Sequence, residues 1–216
     1  MPEFPDRRNV LVPRCTRCPA LVNSRERISW GNGPLNAAVM VIGEAPAAGD
    51  PEADRWRGGN LTGMAYTSRH SGRRVRELFD ALGYEPYVTN SVKCFPRDPD
   101  SPAETPTNRE PTPEERRRCG RHLRTEIRQI DPEVVVATGK HATASVLALE
   151  DEGLDGFLDL VLEPVECSGL GVTLVPILHP SYQEIWLNRL GYSSGEYQTI
   201  LRRLLDKLAT GSLRFP

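Results

Sequence analysis

Four apolar runs stand out along the chain: residues 37–43 (AAVMVIG), 87–92 (YVTNSV), 134–139 (VVVATG) and 172–178 (VTLVPIL). They are rich in β-branched residues and continuous rather than alternating, as strands covered on both faces are. Between and after them the apolar positions recur with helical period, over residues 73–82, 112–130, 141–149 and about 195–208. In the last of these Tyr197, Ile200, Leu201, Leu204, Leu205 and Leu208 share one face. Thr112-Pro113-Glu114-Glu115 has the form of a helix start, with a capping threonine, proline at the first helical position and a glutamate that closes a capping box. Alternation of strand and helix with long crossovers predicts an α/β fold: three layers, α/β/α, around a central four-stranded, mostly parallel sheet. Ligands in such folds sit beyond the carboxyl ends of the strands. The chemistry is therefore expected in residues 43–50 (GEAPAAGD), 90–94 (NSVKC), 138–141 (TGKH) and 179–181 (HPS).

Bulk properties narrow the setting. A length of 216 residues suits one domain, read here as residues 1–216 with the segment 1–36 packing on the α/β core. No run approaches the roughly 18 apolar residues of a membrane span, and the first fifteen residues carry no apolar signal core. A soluble, cytoplasmic, monomeric protein is expected. The net charge of −2 gives no whole-molecule attraction for nucleic acid, so any such contact needs a local basic face. Two long loop-like stretches remain, residues 50–71 and the proline-rich 95–111. Loops of that length in compact domains are often functional.

Five cysteines are too few and too scattered for a secreted disulfide scaffold. Cys15 and Cys18 form a C-x-x-C pair. Cys94 follows the second strand. Cys119 lies on the inward face of its helix with Leu123, Ile127 and Ile130. Four thiolates at one edge suit an iron–sulfur cluster or a tetrahedral zinc, whereas Cys94 and Cys119 taken alone also suit plain burial. Cys167, in E-C-S-G, has no comparable partner and reads as a free thiol near a turn.

The ordered set of C-T-R-C, G-E-A-P, T-N-S-V-K-C, P-T-P-E-E with Cys119, A-T-G and H-P-S resembles the iron–sulfur uracil-DNA glycosylases of families 4 and 5, from about Cys15 to Ser181. The resemblance implies a four-iron, four-sulfur cluster on Cys15, Cys18, Cys94 and Cys119, uracil-containing DNA as partner, and hydrolysis of the N-glycosidic bond. Departures from the family pattern are local. Ala47 and Ala48 follow Pro46 where family 4 has glycine, and Glu44 is the family 4 choice. The segment A-Y-T-S-R-H-S-G is similar to the family's P-F-T-G-x-x-S-G, with Tyr66 for phenylalanine. The loop before Tyr66 and the proline-rich loop are both longer than usual.

The resemblance also distributes roles. A base must leave the duplex to be cut, and Tyr66 would then stack on it, beside Gly43 and Ala45. Asn90 would read O4 and N3–H with one amide, a pattern that cytosine inverts. His179, neutral, would donate to O2 as charge builds there. Glu44 would orient the attacking water and face the cationic sugar, with Asp50 as the other candidate carboxylate. Ser181, with Pro180, Tyr182 and Gln183, would meet the minor groove and phosphates. Arg69, Arg73 and Arg74 are candidates for added positive charge. His141 reads as structural, and His70 and His122 as surface residues. Three other readings use the same residues: a glycosylase that also takes hypoxanthine or xanthine, a non-catalytic iron–sulfur module that binds damaged DNA, and a zinc-ribbon-like structural protein.

Overall fold

The computed structural model describes residues 7–209; residues 1–6 and 210–216, the ends of the expected domain, lie outside the described residues. Five strands form one sheet: β1 (Val39–Gly43), β2 (Tyr87–Asn90), β3 (Val134–Thr138), β4 (Val165–Cys167) and β5 (Val172–Ile177), in the order β2-β1-β3-β5-β4. The first three and β5 are mutually parallel, and β4 runs antiparallel to β5. The sheet therefore has five strands where four are expected. The extra one is a three-residue edge strand whose Glu166 is exposed, so it carries no apolar run.

Period-two alternation sends each strand's side chains into two separate cores. Val39 and Val41 face the side covered by α3 (Ser71–Leu82) and α7 (Ser194–Leu208). Met40 and Ile42 face α4 (Pro113–Ile130) and α5 (Lys140–Leu147). This gives the expected three layers. The helix α4 opens with the capping box formed by Thr112 and Glu115, and α7 opens with another on Ser193 and Glu196. Three further helices have no counterpart in the sequence pattern: α1 (Pro19–Ser24), α2 (Gly59–Thr62) and α6 (Gln183–Leu190). A third, smaller core joins Leu21, Ile28, Trp30 and Val92 to Cys94 and Cys119. Among the described residues, no helix is long and apolar enough to cross a membrane.

Parallel register makes the strands end together. Gly43 pairs with Asn90, and Thr138 with Ile177. The chain leaves β1 toward β2 on one side and returns to β3 on the other, so the crevice expected at a reversal of strand order opens between β1 and β3.

One ion pair lies wholly inside this frame. Lys93 and Glu126 have side chains 1% and 0% exposed and are directly bonded. The Lys93 ammonium also donates to Thr89 Oγ1 (2.6 Å) and to the Asn90 carbonyl (2.5 Å). Glu126 accepts from the Tyr87 hydroxyl (3.0 Å), from Thr89 Oγ1 (2.9 Å) and from the Gly31 N–H (3.3 Å). Each charge thus has several partners, which a buried pair requires. Replacing one partner leaves the other buried and unpaired. Lys93→Met is expected to cost about 3–5 kcal/mol in urea denaturation, and the double variant Lys93→Met/Glu126→Leu to recover most of that loss. Equal destabilisation by the single and double variants would argue against a paired charge at this position.

Candidate active site

A cleft of about 1030 Å³ opens at the carboxyl ends of β1, β2, β3 and β5. It brings together Gly43, Glu44, Ala45, Tyr66, Asn90, His179 and Ser181, the whole expected non-cysteine set. Asp50 does not line it: the residue is exposed and its carboxylate accepts the Glu52 N–H of its own turn (3.0 Å).

Asn90 ends β2 and is only 6% exposed, yet its side-chain amide makes no hydrogen bond to any described residue. Its neighbour in register, Gly43, has no side chain because there is no room for one. A Cβ there would stand 2.5 Å from Asn90 Oδ1 and 2.7 Å from the Tyr66 hydroxyl. Three parts of the site therefore meet at one backbone position. Tyr66 is held in left-handed conformation (φ 54°), costly for a residue with a Cβ. The half-buried Arg76 grips its carbonyl (2.9 Å) while also reaching Asn32 (2.6 Å), and Thr138 Oγ1 bonds its hydroxyl (2.7 Å). Burial pushes the Tyr66 phenol up and lowers the Arg76 guanidinium to about 10.

His179 follows β5 and packs on Gly139, whose φ of 89° lets the exit of β3 pass 3.0 Å, measured from a notional Cβ, from the His179 Cβ. His179 Nδ1 accepts the Ser181 N–H (3.2 Å), which leaves the proton of a neutral ring on Nε2. Burial, and then the charge of His141, lower its pKa, so the neutral form is favoured. The Glu44 carboxylate makes no hydrogen bond to a described residue; the ties of its loop are made by its backbone carbonyl, to Val92 N–H and Ser91 Oγ. Burial raises its pKa, His141 and Arg116 pull it down and Glu110 pushes it up.

The arginines divide. Arg69 is exposed, Arg73 pairs with Glu77 (2.7 Å), and Arg74 donates to the Pro180 carbonyl (3.0 Å), tying α3 to the loop after β5. Tyr182, just beyond, is 59% exposed at the rim.

The four cysteines of the expected cluster also come to one pocket. Cys15, Cys18, Cys94 and Cys119 line it with Arg17, Arg25, Lys93 and Arg118. Arg25 donates to Cys94 Sγ (3.0 Å) and the Lys93 N–H to Cys119 Sγ (3.3 Å). Burial pushes the Cys119 thiol up to about 12 and raises Cys18 and Cys94 as well. Among the described residues no three His, Cys, Asp or Glu side chains close on a single ion. Cys167 is free, buried and remote from this pocket, at the turn after β4. His122 is not a surface residue. It is buried with its ring edge-on to Trp30 (5.4 Å), and burial lowers it to about 4.

Sequence reasoning passes over several residues that line the cleft or hold its parts. His141 lines it and meets Glu110 (3.1 Å), although its place in T-G-K-H at a strand exit is a signal. Thr138 and Arg76 hold Tyr66, and nothing in their spacing announces it. Asn108 and residues 154–159 form further wall.

The family described as the uracil DNA glycosylase superfamily matches residues 30–204. The chain is 33% identical over 175 residues to a type-4 uracil-DNA glycosylase of Thermotoga maritima, covering 79% of this chain and 78% of that protein. It is 33% identical over 166 residues to a type-5 uracil-DNA glycosylase of Pyrobaculum aerophilum, covering 62% and 66%. A type-4 enzyme of Archaeoglobus fulgidus is 29% identical over 176 residues, covering 79% and 78%.

The crowding at Gly43 has a direct test. Gly43→Ala must push Asn90 and Tyr66 apart, and overpacking of this kind costs about 1–3 kcal/mol. Urea denaturation of the variant should show that loss, and unchanged stability would mean that the three residues do not meet as described.

Proposed function

The chain belongs to the uracil DNA glycosylase superfamily, and we propose that it hydrolyses the N-glycosidic bond of uracil in DNA, leaving an abasic site. The observation that carries this reading is the Asn90 amide: it borders the cleft, makes no hydrogen bond to a described residue, and shares that cleft with the Glu44 carboxylate and the Nε2 edge of His179. A polar group held at a cleft wall with no protein partner is free to bond a ligand, and it discriminates by the donors and acceptors that the ligand offers. Uracil offers O4 to the amide N–H and N3–H to the amide oxygen.

The flipped base enters the cleft against Tyr66, whose ring is locked by Arg76 and Thr138. His179 donates from Nε2 to O2 as the base leaves. A neutral donor suffices because negative charge develops only toward the transition state. Glu44 orients the water that attacks the sugar carbon and stabilises positive charge on the sugar. Ser181 and Tyr182, exposed at the mouth, meet the DNA strand. The large apolar side chains exposed among the described residues are few, Val10, Leu35, Tyr182 and Ile185, in keeping with a single domain acting as a monomer.

Cys15, Cys18, Cys94 and Cys119 suit a four-iron, four-sulfur cluster. Their pocket supplies two N–H donors to sulfur and four cationic side chains to offset thiolate charge. One iron for each thiolate does not require the sulfurs to converge on a point, as one zinc would. When bound, the cluster supplies covalent cross-links between the segment 15–18, the exit of β2 and α4.

Base release from a uracil-containing oligonucleotide tests the activity, with binding but no release as the contrary outcome. His179→Ala is expected to slow single-turnover release about 100- to 1,000-fold, at unchanged iron content. A near wild-type rate would remove His179 from catalysis. Purified protein should be brown and hold about four irons; stoichiometric zinc without iron after anaerobic purification would overturn the cluster.

A further inference from the structure

The proline-rich loop ends in three residues that reach across the cleft in different directions. Asn108 Nδ2 donates to the Pro46 carbonyl (3.1 Å), two residues after Glu44. Arg109 makes two 2.7 Å bonds to Glu115, the capping-box residue of α4, and so fixes this end of the loop to a rigid helix. Glu110 bonds Arg116 (2.8 Å) and, through the same Oε1, meets His141 Nδ1 (3.1 Å) at the second position of α5. The loop thus forms a strap joining the exits of β1 and β3, on the two sides of the crevice, two residues from Glu44 at its β1 end. His141, although half-exposed, lines the cleft together with Glu44 and His179.

Resting on the reading of Glu44 as the group that orients water, we propose that His141, docked by Glu110, is a positioning residue: it supplies positive charge beside the Glu44 carboxylate that keeps it ionised for that task. The charged groups acting on Glu44 come from three elements. His141 on α5 and Arg116 on α4 favour its anion, and Glu110 on the strap opposes it. His141 itself is faced by Glu110, by Glu44, and by His179 at the exit of β5, with Lys140 beside it on α5 and acting on Glu110. Burial alone drives Glu44 toward the neutral acid, which cannot accept a proton from water, so an opposing cation has a function here. The sign follows. Glu44 titrates above its ordinary range, activity that needs its anion falls as pH drops through that point, and removal of the His141 charge moves the fall to higher pH.

The test is the pH profile of single-turnover uracil release by the full-length protein with its cluster, each variant normalised to its own plateau. His141→Gln should lose roughly three- to tenfold more relative rate at pH 5.5 than wild type does. His141→Lys, with a permanent cation, should keep the acid limb at or below the wild-type position. A structural role alone would move both variants alike. Far-UV circular dichroism and cluster absorbance check that each is folded. Glu44→Gln separates the two readings. If it lacks the acid limb while His141→Gln leaves the limb unmoved, the role of His141 is overturned alone. If Glu44→Gln retains the limb, the reading of Glu44 is overturned and this proposal falls with it.

Discussion

The buried pair Lys93–Glu126 is the constraint on which the rest of the site depends. A charge without water must be surrounded by partners, and here the partners are the functional framework itself. The ammonium binds the carbonyl of Asn90, and the backbone N–H of the same lysine points at Cys119 Sγ. The carboxylate takes the hydroxyls of Tyr87 and Thr89 from β2 while sitting on α4. One ion pair therefore locks the end of β2, with Asn90, and the helix that bears a cysteine into one unit.

Desolvation is the largest influence on the shifted titratable groups of the cleft. Burial lowers His179, raises Glu44 and raises the Tyr66 phenol. Each shift, taken by itself, favours the neutral form of its group, and the charges around Glu44 act against or with it. The polar atoms that remain free, the Asn90 amide and the Nε2 edge of His179, are held by backbone-level devices: strand register for one, the Ser181 N–H for the other. Preorganised dipoles in a dry site act more strongly on developing charge than the same groups in water.

The strands were legible because burial on both faces makes their residues continuously apolar, and their ends pointed to the four segments that line the cleft. β4 was not legible, since three residues with an outward Glu166 leave no run to detect. The helix α6 follows a loop, has no side-chain cap and buries only Leu187, so it lacks both boundary and stripe. Glu126 shows the limit most plainly. It stands seven residues after Cys119, on the inward face of α4, but apolar periodicity ignores a carboxylate there, and its partner Lys93 looks like an ordinary polar strand exit. His122, three residues from Cys119, falls to the same bias. The strap residues Asn108 and Glu110 carry no local pattern at all, because their meaning lies in what the fold places opposite them.

The flush ending of the parallel strands has an evolutionary consequence. Because Gly43 sits beside Asn90 and Thr138 beside Ile177, a one-residue insertion within β1 or β3 would exchange every side chain between the two cores and carry the exit loop off the common baseline. Insertions beyond the strand ends disturb neither. Length variation is thereby channelled into the parts of 50–71 and 95–111 that hold neither Tyr66 nor the strap residues 108–110, so the outer walls can change while the floor of the cleft stays unchanged.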